Sequence, residues 1–106
     1  MKTIMVRYKT HAESVAENER LIHAVFDELR AAQPPGVSYG TFKLDDGVSF
    51  VHFAVIDTAD GSNPLVSLPA FERFQTDLAE RCVEMPHAIN VFPVDGYRFP
   101  TEVAGA

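Results

Sequence analysis

The stretch Val48 to Ile56, VSFVHFAVI, is apolar in both of its alternating phases. Val48, Phe50, Ala54 and Ile56 occupy one phase with His52 among them, and Val51, Phe53 and Val55 occupy the other with Ser49. Strands with one wet face alternate apolar with polar residues, so this strand needs protein against both faces. Few small architectures supply two covers.

The flanking segments narrow the choice. Lys2 to Lys9 sets Ile4, Val6 and Tyr8 against Met5, Arg7 and Lys9, which is the period of a strand. Thr10 to Glu13 has capping-box spacing, and Val15, Ile22, Val25, Phe26, Leu29 and Ala32 then recur at helical intervals until Pro34-Pro35-Gly36 stops the ladder. Val37 to Leu44 and Val48 to Ile56 read as a hairpin around Asp45-Asp46-Gly47. After the turn-rich Asp57 to Pro64, Ser67 is placed to cap a second helix running to about Cys82, with Leu68, Phe71, Phe74, Leu78 and Cys82 inward and Arg73, Asp77, Glu80 and Arg81 outward. Pro86 marks its limit, His87 to Val94 forms a fourth strand, and Asp95-Gly96 bends the chain into Tyr97-Arg98-Phe99 and a Gly-Ala tail.

The order β-α-β-β-α-β predicts one α+β, ferredoxin-like domain over residues 1–106, with a four-stranded antiparallel sheet and both helices on one face. Helices cover only one phase of the apolar strand. A second copy packed sheet against sheet would cover the other, which predicts a homodimer.

Charge and cysteine content limit the partners. Nine Lys plus Arg against fifteen Asp plus Glu give a net charge of −6 with no basic run, which argues against nucleic acid and anionic membranes. The single Cys82 excludes an internal disulfide, and no apolar stretch is long enough for a signal-peptide core or a membrane span. A cytoplasmic protein is the expectation.

The strand Ile4-Met5-Val6-Arg7-Tyr8, the element order and the closing Gly96-Tyr97-Arg98-Phe99 resemble the dimeric α+β barrel proteins, and specifically the antibiotic biosynthesis monooxygenase-like family. The resemblance spans nearly the whole chain. It implies a homodimeric barrel, a cavity between helices and sheet for a small aromatic or polyketide-like molecule, and oxygen chemistry without a metal or flavin. The chain departs from the better-known branches in having no tryptophan, and no full catalytic motif of the family matches residue by residue.

His52 is the residue that stands out. A cavity histidine can accept a phenolic proton and so generate an electron-rich anion that reacts with oxygen. The plainer reading is a half-buried histidine hydrogen-bonded to a neighbour. Arg7 and Tyr39 are candidates to hold a substrate oxygen, against surface pairing for Arg7 and edge packing for Tyr39. Phe50 stands between pocket wall and core, as do Phe53 and Phe92.

Cys82, Met85 and His87 are close in sequence, but Cys82 falls on an apolar stripe and core packing explains it. His11 and His23 read as solvent contacts, and Glu13 with Glu17 and Asp57 with Asp60 as solvated surface. No phosphate-cradling glycine loop is present, and neither a metal nor another cofactor is expected. The expected activity is therefore a cofactor-independent monooxygenase or related enzyme with His52 as base and Arg7, Tyr39 and Phe50 around the substrate. The alternatives are a non-catalytic small-molecule-binding or interaction module of the same fold and, third, a haem-degrading enzyme, for which no iron ligand can be identified in the sequence.

Overall fold

Lys2–Thr10 (β1), Val37–Lys43 (β2), Ser49–Ile56 (β3) and Cys82–Val91 (β4) form one sheet in the order β2-β3-β1-β4, with every neighbouring pair antiparallel. The computed structural model describes residues 1–99, so the Gly-Ala tail lies outside the described residues. Val15–Ala32 (α1), Pro69–Gln75 (α2) and Leu78–Arg81 (α3) supply the helices. This is the ferredoxin-like α+β arrangement that the element order predicts. No helix of the described residues is long and apolar enough to cross a membrane.

Register assigns the two phases of the central strands. Val6 pairs with His52 and Tyr8 with Phe50, while Thr41 pairs with His52 and Tyr39 with Ala54. Residues directly opposite point to the same side. The helical side therefore carries Ile4, Val6, Tyr8, Tyr39, Thr41, Phe50, His52 and Ala54. Tyr8, Phe50, Ile22, Val25, Ala70, Phe74, Leu78 and Cys82 make the main buried cluster there. The opposite side carries Met5, Arg7, Phe42, Val51, Phe53, Val55 and Ile89 without a helical cover.

Local chemistry fixes the turns. Asp46 Oδ1 accepts the Val48 and Ser49 N–H groups, and Oδ2 accepts from Ser49 Oγ at 2.6 Å, which closes the hairpin. Those donors hold the Asp46 carboxyl down at about 2. α1 ends with Gln33 in the left-handed region at φ 46°, its N–H on Leu29 O, just before the prolines. Gly36 has φ +81°, and a Cβ there would sit 2.7 Å from Thr58 Cγ2 and 2.8 Å from Asp57 O, so only glycine fits.

Three expectations are corrected. Thr10 does not open α1 as a capping residue; it ends β1, buried, with Oγ1 donating to Val48 O, and a 3-10 turn at Ala12–Ser14 precedes the helix. The second helix is not continuous from Ser67 to Cys82. Asn63, rather than Ser67, caps a short 3-10 turn over Pro64–Ser67, α2 opens at Pro69, and the chain breaks at Thr76-Asp77, where Asp77 takes φ 62°. The fourth strand also begins earlier and ends earlier than His87 to Val94.

Cys82 thus opens β4 instead of closing a helix, and Pro86 lies inside the strand. Lys9 pairs with Glu84 and Arg7 with His87, so Met85 and Pro86 together oppose Tyr8. That bulge sits on an edge strand, where a residue without N–H costs the ladder little. Between the helices, Glu28 Oε2 accepts the Ala70 N–H at 3.0 Å and pairs with Arg73 at 3.2 Å, tying α1 to the start of α2.

Candidate functional site

A cavity of about 260 Å³ lies between the sheet and the α2–α3 segment. Its wall includes Ile4, Val6, Tyr8, Tyr39, His52, Ala54, Leu65, Phe71, Phe74 and Ala88, so it is apolar apart from a few side chains. A second hollow of about 460 Å³ lies on the other side of the sheet, lined by Phe42, Phe53, Val55, Phe92 and Val94 among others. The larger one is lined by no His, Cys, Lys, Arg, Asp or Glu and offers only the hydroxyls of Thr3 and Ser38 on its own side of the sheet, so the smaller one holds the chemistry.

His52 is the centre of that chemistry. Its Nε2 lies 2.7 Å from the Tyr8 hydroxyl, and its Nδ1 lies 2.6 Å from the Tyr39 hydroxyl and 3.1 Å from Thr41 Oγ1. The sheet alone brings these four together. Thr41 is directly opposite His52, while Tyr8 and Tyr39 sit one diagonal step away on either neighbour, within reach of long aromatic side chains.

The network continues into the helices. Asn18 on α1 donates from Nδ2 to the Tyr8 oxygen at 2.9 Å, and Arg81 at the end of α3 donates from Nε to Asn18 Oδ1 at 3.0 Å. Arg81 also reaches Phe74 O at 2.7 Å, in the last turn of α2, and Thr76 O at 3.2 Å, just past its end, with its guanidinium over the Phe74 ring. The ion pairs of the described residues do not include Arg81, although it is only 7% exposed. A buried cation held by neutral oxygens and a helix C-terminus is costly to desolvate, and it is balanced here by three hydrogen bonds and the helix dipole.

Burial controls the ionisation of the whole group. It lowers His52 to about 4, so the imidazole is neutral at pH 7. It raises Tyr39 to about 12 and Tyr8 well above the ordinary phenol value, against the opposing pull of the Asn18 hydrogen bond on Tyr8. All three are uncharged hydrogen-bonding groups in a largely apolar wall.

Of the residues singled out in the sequence, His52 and Tyr39 converge. Phe50 shares their side of the sheet but is packed against the Tyr8 ring, 5.5 Å between centroids, and stands behind the cavity wall. Arg7 is separated from them. It pairs with Val51 and His87, which puts it on the opposite, helix-free side, exposed to solvent. An odd position on β1 cannot share a face with an even position on β3 in this register.

Four members of the network are not singled out by the sequence: Thr41, legible only as a residue of β2, and Tyr8, Asn18 and Arg81. Tyr8 was legible only as a strand residue. Asn18 occupies the inward stripe of α1 between Val15 and Ile22, and a polar residue at such a position is itself the signal. Arg81 was expected outside because an unbroken helix would have turned it outward; the break at Asp77 turns it in. Cys82 is packed in the core with its thiol pushed up by burial, and Met85 and His87 point elsewhere as exposed residues of β4. His11 and His23 are exposed.

No protein-family model matches the chain, and no curated protein matches it in sequence. Solved structures do match. A structure described as an antibiotic biosynthesis monooxygenase superposes with a TM-score of 0.73 at 13% identity, covering 90% of this chain and 100% of the other. The chain shares the fold of that structure. SnoaB, a cofactor-independent oxygenase from Streptomyces nogalater solved as its N63A mutant, matches with a TM-score of 0.68 at 19% identity over 92% of this chain and 97% of SnoaB. Rv0793 from Mycobacterium tuberculosis matches with 0.72 at 17% identity over 90% and 96% of the two chains. At these identities the likeness carries the fold, and activity has to be argued from the site.

Proposed function

We propose that this chain is a cofactor-independent monooxygenase, or a closely related enzyme, acting on a small aromatic molecule bound between helices and sheet, with His52 as proton acceptor and Tyr39 as an orienting group. The observation that carries the reading is a neutral imidazole set between two phenols in the wall of an apolar cavity of about 260 Å³. A neutral imidazole there can take a proton from a phenol or an acidic methylene, which leaves an anion able to give electrons to oxygen directly. In the net reaction one methylene and one O₂ give a carbonyl and one water: the carbon loses two hydrogens, one oxygen atom enters the product, and the other leaves with those hydrogens.

The energetics permit this. Moving a proton from a phenol of pKa ~10 to an imidazole at about 4 is uphill by about 8 kcal/mol. A turnover of ~10 s⁻¹ corresponds to a barrier of about 16 kcal/mol, so the transfer fits within it before any help from Tyr39. Pairing of two subunits through the helix-free side of the sheet is part of the same proposal, since Met5, Phe42, Phe53 and Ile89 there have no helical cover among the described residues.

A second reading has one observation in its favour. Both ring nitrogens of His52 already meet protein hydroxyls, so the network is complete without a ligand, as in a binding or interaction module whose histidine only holds the sheet together. Oxygen uptake by metal-free protein with hydroquinones, anthrones and catechols separates the two. Uptake by the parent protein that disappears in a folded His52→Ala variant supports the enzyme; uptake unchanged by the substitution removes His52 as base, and no uptake with any of them favours the module.

A further inference from the structure

The buried chain from Arg81 to Tyr39 has a direction. Arginine carries only donors, so the Asn18 oxygen must face Arg81 Nε and the Asn18 amide nitrogen must face Tyr8. The Tyr8 oxygen thus receives a hydrogen from Asn18, and its single hydrogen is left for His52 Nε2 at 2.7 Å. Nε2 is then the bare nitrogen of the neutral ring, and the ring proton sits on Nδ1 between Tyr39 and Thr41. A ligand proton therefore reaches the ring through Tyr8 of the cavity wall, whose hydroxyl passes its own hydrogen to Nε2 as it takes one from the ligand. The reverse polarity would aim the Tyr8 hydrogen at the Asn18 amide nitrogen, setting two donors face to face where neither residue has more than 1% of its surface exposed.

We propose that Arg81 and Asn18 are positioning residues that fix this polarity, hold His52 as its Nδ1–H tautomer, and thereby make the Tyr39 hydroxyl a hydrogen-bond donor toward an acceptor oxygen of a ligand, such as a carbonyl or phenolate. Tyr39 accepts the Nδ1 hydrogen through its oxygen, so its own hydrogen is left for another acceptor. Thr41 Oγ1 shares Nδ1 with it, and a ligand oxygen in the cavity is the acceptor we assign to that hydrogen. The tautomer stands by itself, whereas the ligand half rests on the reading of the cavity as a binding site.

Asn18→Asp is the decisive variant because it keeps the shape and reverses the chemistry. The new carboxylate accepts from Arg81 with one oxygen and from the Tyr8 hydroxyl with the other, so the Tyr8 oxygen must now accept from His52 Nε2–H. Long-range ¹H–¹⁵N spectra of histidine-labelled protein at neutral pH read the proton directly. The expected result is a protonated Nδ1 with a pyridine-type Nε2 in the parent protein and in Arg81→Lys, which keeps a donor, and the proton moved to Nε2 in Asn18→Asp.

A parent protein with its proton on Nε2, or an Asn18→Asp protein that keeps it on Nδ1, overturns the proposal, and the parent spectrum decides even if a variant fails to fold. For the ligand half, 4-nitrophenolate is the probe. Binding weakened roughly tenfold in Tyr39→Phe is expected; equal binding by both proteins, or none by the parent, overturns the donor role. A failure of oxygen uptake would leave both readouts untouched, so the two proposals fail separately.

Discussion

The Tyr8 hydroxyl and His52 Nε2 are 2.7 Å apart although 44 residues separate them in the chain. They occupy adjacent strands at positions one diagonal step apart, because Val6 is the residue directly opposite His52. The contact is therefore a product of register. A slip of one residue between β1 and β3 would send Tyr8 to the other side of the sheet and leave both groups unpaired in an apolar setting.

Acid should weaken the fold through His52. Its folded value of about 4 lies below the ordinary imidazole value of 6.5, so between those two limits the unfolded chain binds a proton that the folded chain does not. Stability contributed by the neutral ring is complete above pH 6.5 and is lost as pH falls toward 4, by about 3 kcal/mol in all. Urea unfolding across this range should show a steeper acid loss for the parent protein than for His52→Gln, which has no titrating ring. Parallel curves would place the ring's titration near its ordinary value.

Removing the buried guanidinium should cost stability, but less than the number of its hydrogen bonds suggests. Arg81→Met leaves Asn18 Oδ1, Phe74 O and Thr76 O without their donor, each worth ~1 kcal/mol or more, while the variant no longer buries an unpaired cation. We expect a net loss of about 2 kcal/mol in denaturant unfolding, with the deficit seen as a lower urea midpoint at unchanged slope. An equally stable variant would mean that water replaces the guanidinium at no cost.

The helix-free side of the sheet should be an interface between two copies. Phe42 is 59% exposed and Ile89 39% exposed, and Phe42 meets Phe53 edge to face at 6.1 Å, so this side presents large apolar side chains to solvent in a single subunit. Light scattering at micromolar concentration is expected to give twice the subunit mass. Phe42→Lys should shift it to the subunit mass with little effect on folding, since that side chain has few contacts within its own chain. A parent protein that runs as a single subunit would leave the exposed face needing another partner.

Much of the architecture was legible because it depends on short-range rules. The two apolar phases of β3, the Asp46-Gly47 turn and the Pro34-Pro35 stop each rest on the chemistry of a few consecutive residues, and each is found in the structure. The less legible half of the chain was its second helical segment. Leu68, Phe71, Phe74, Leu78 and Cys82 keep a helical spacing across a break, because residues on either side of Asp77 both point into the same core. Periodicity reports burial, and burial survived the change in backbone.

By itself, the sequence determined the strand and helix order, the two apolar phases of β3, and the prominence of His52. Only the tertiary structure decided that Arg7 and His52 face opposite ways, and that Asn18, Tyr8 and Arg81 join His52 in one chain of hydrogen bonds. The reason is physical. Hydrophobic patterning is an average over neighbours a few residues apart, whereas a buried polar group is satisfied by whichever partner the register and the helix ends bring to within 3 Å, here across as many as 63 residues.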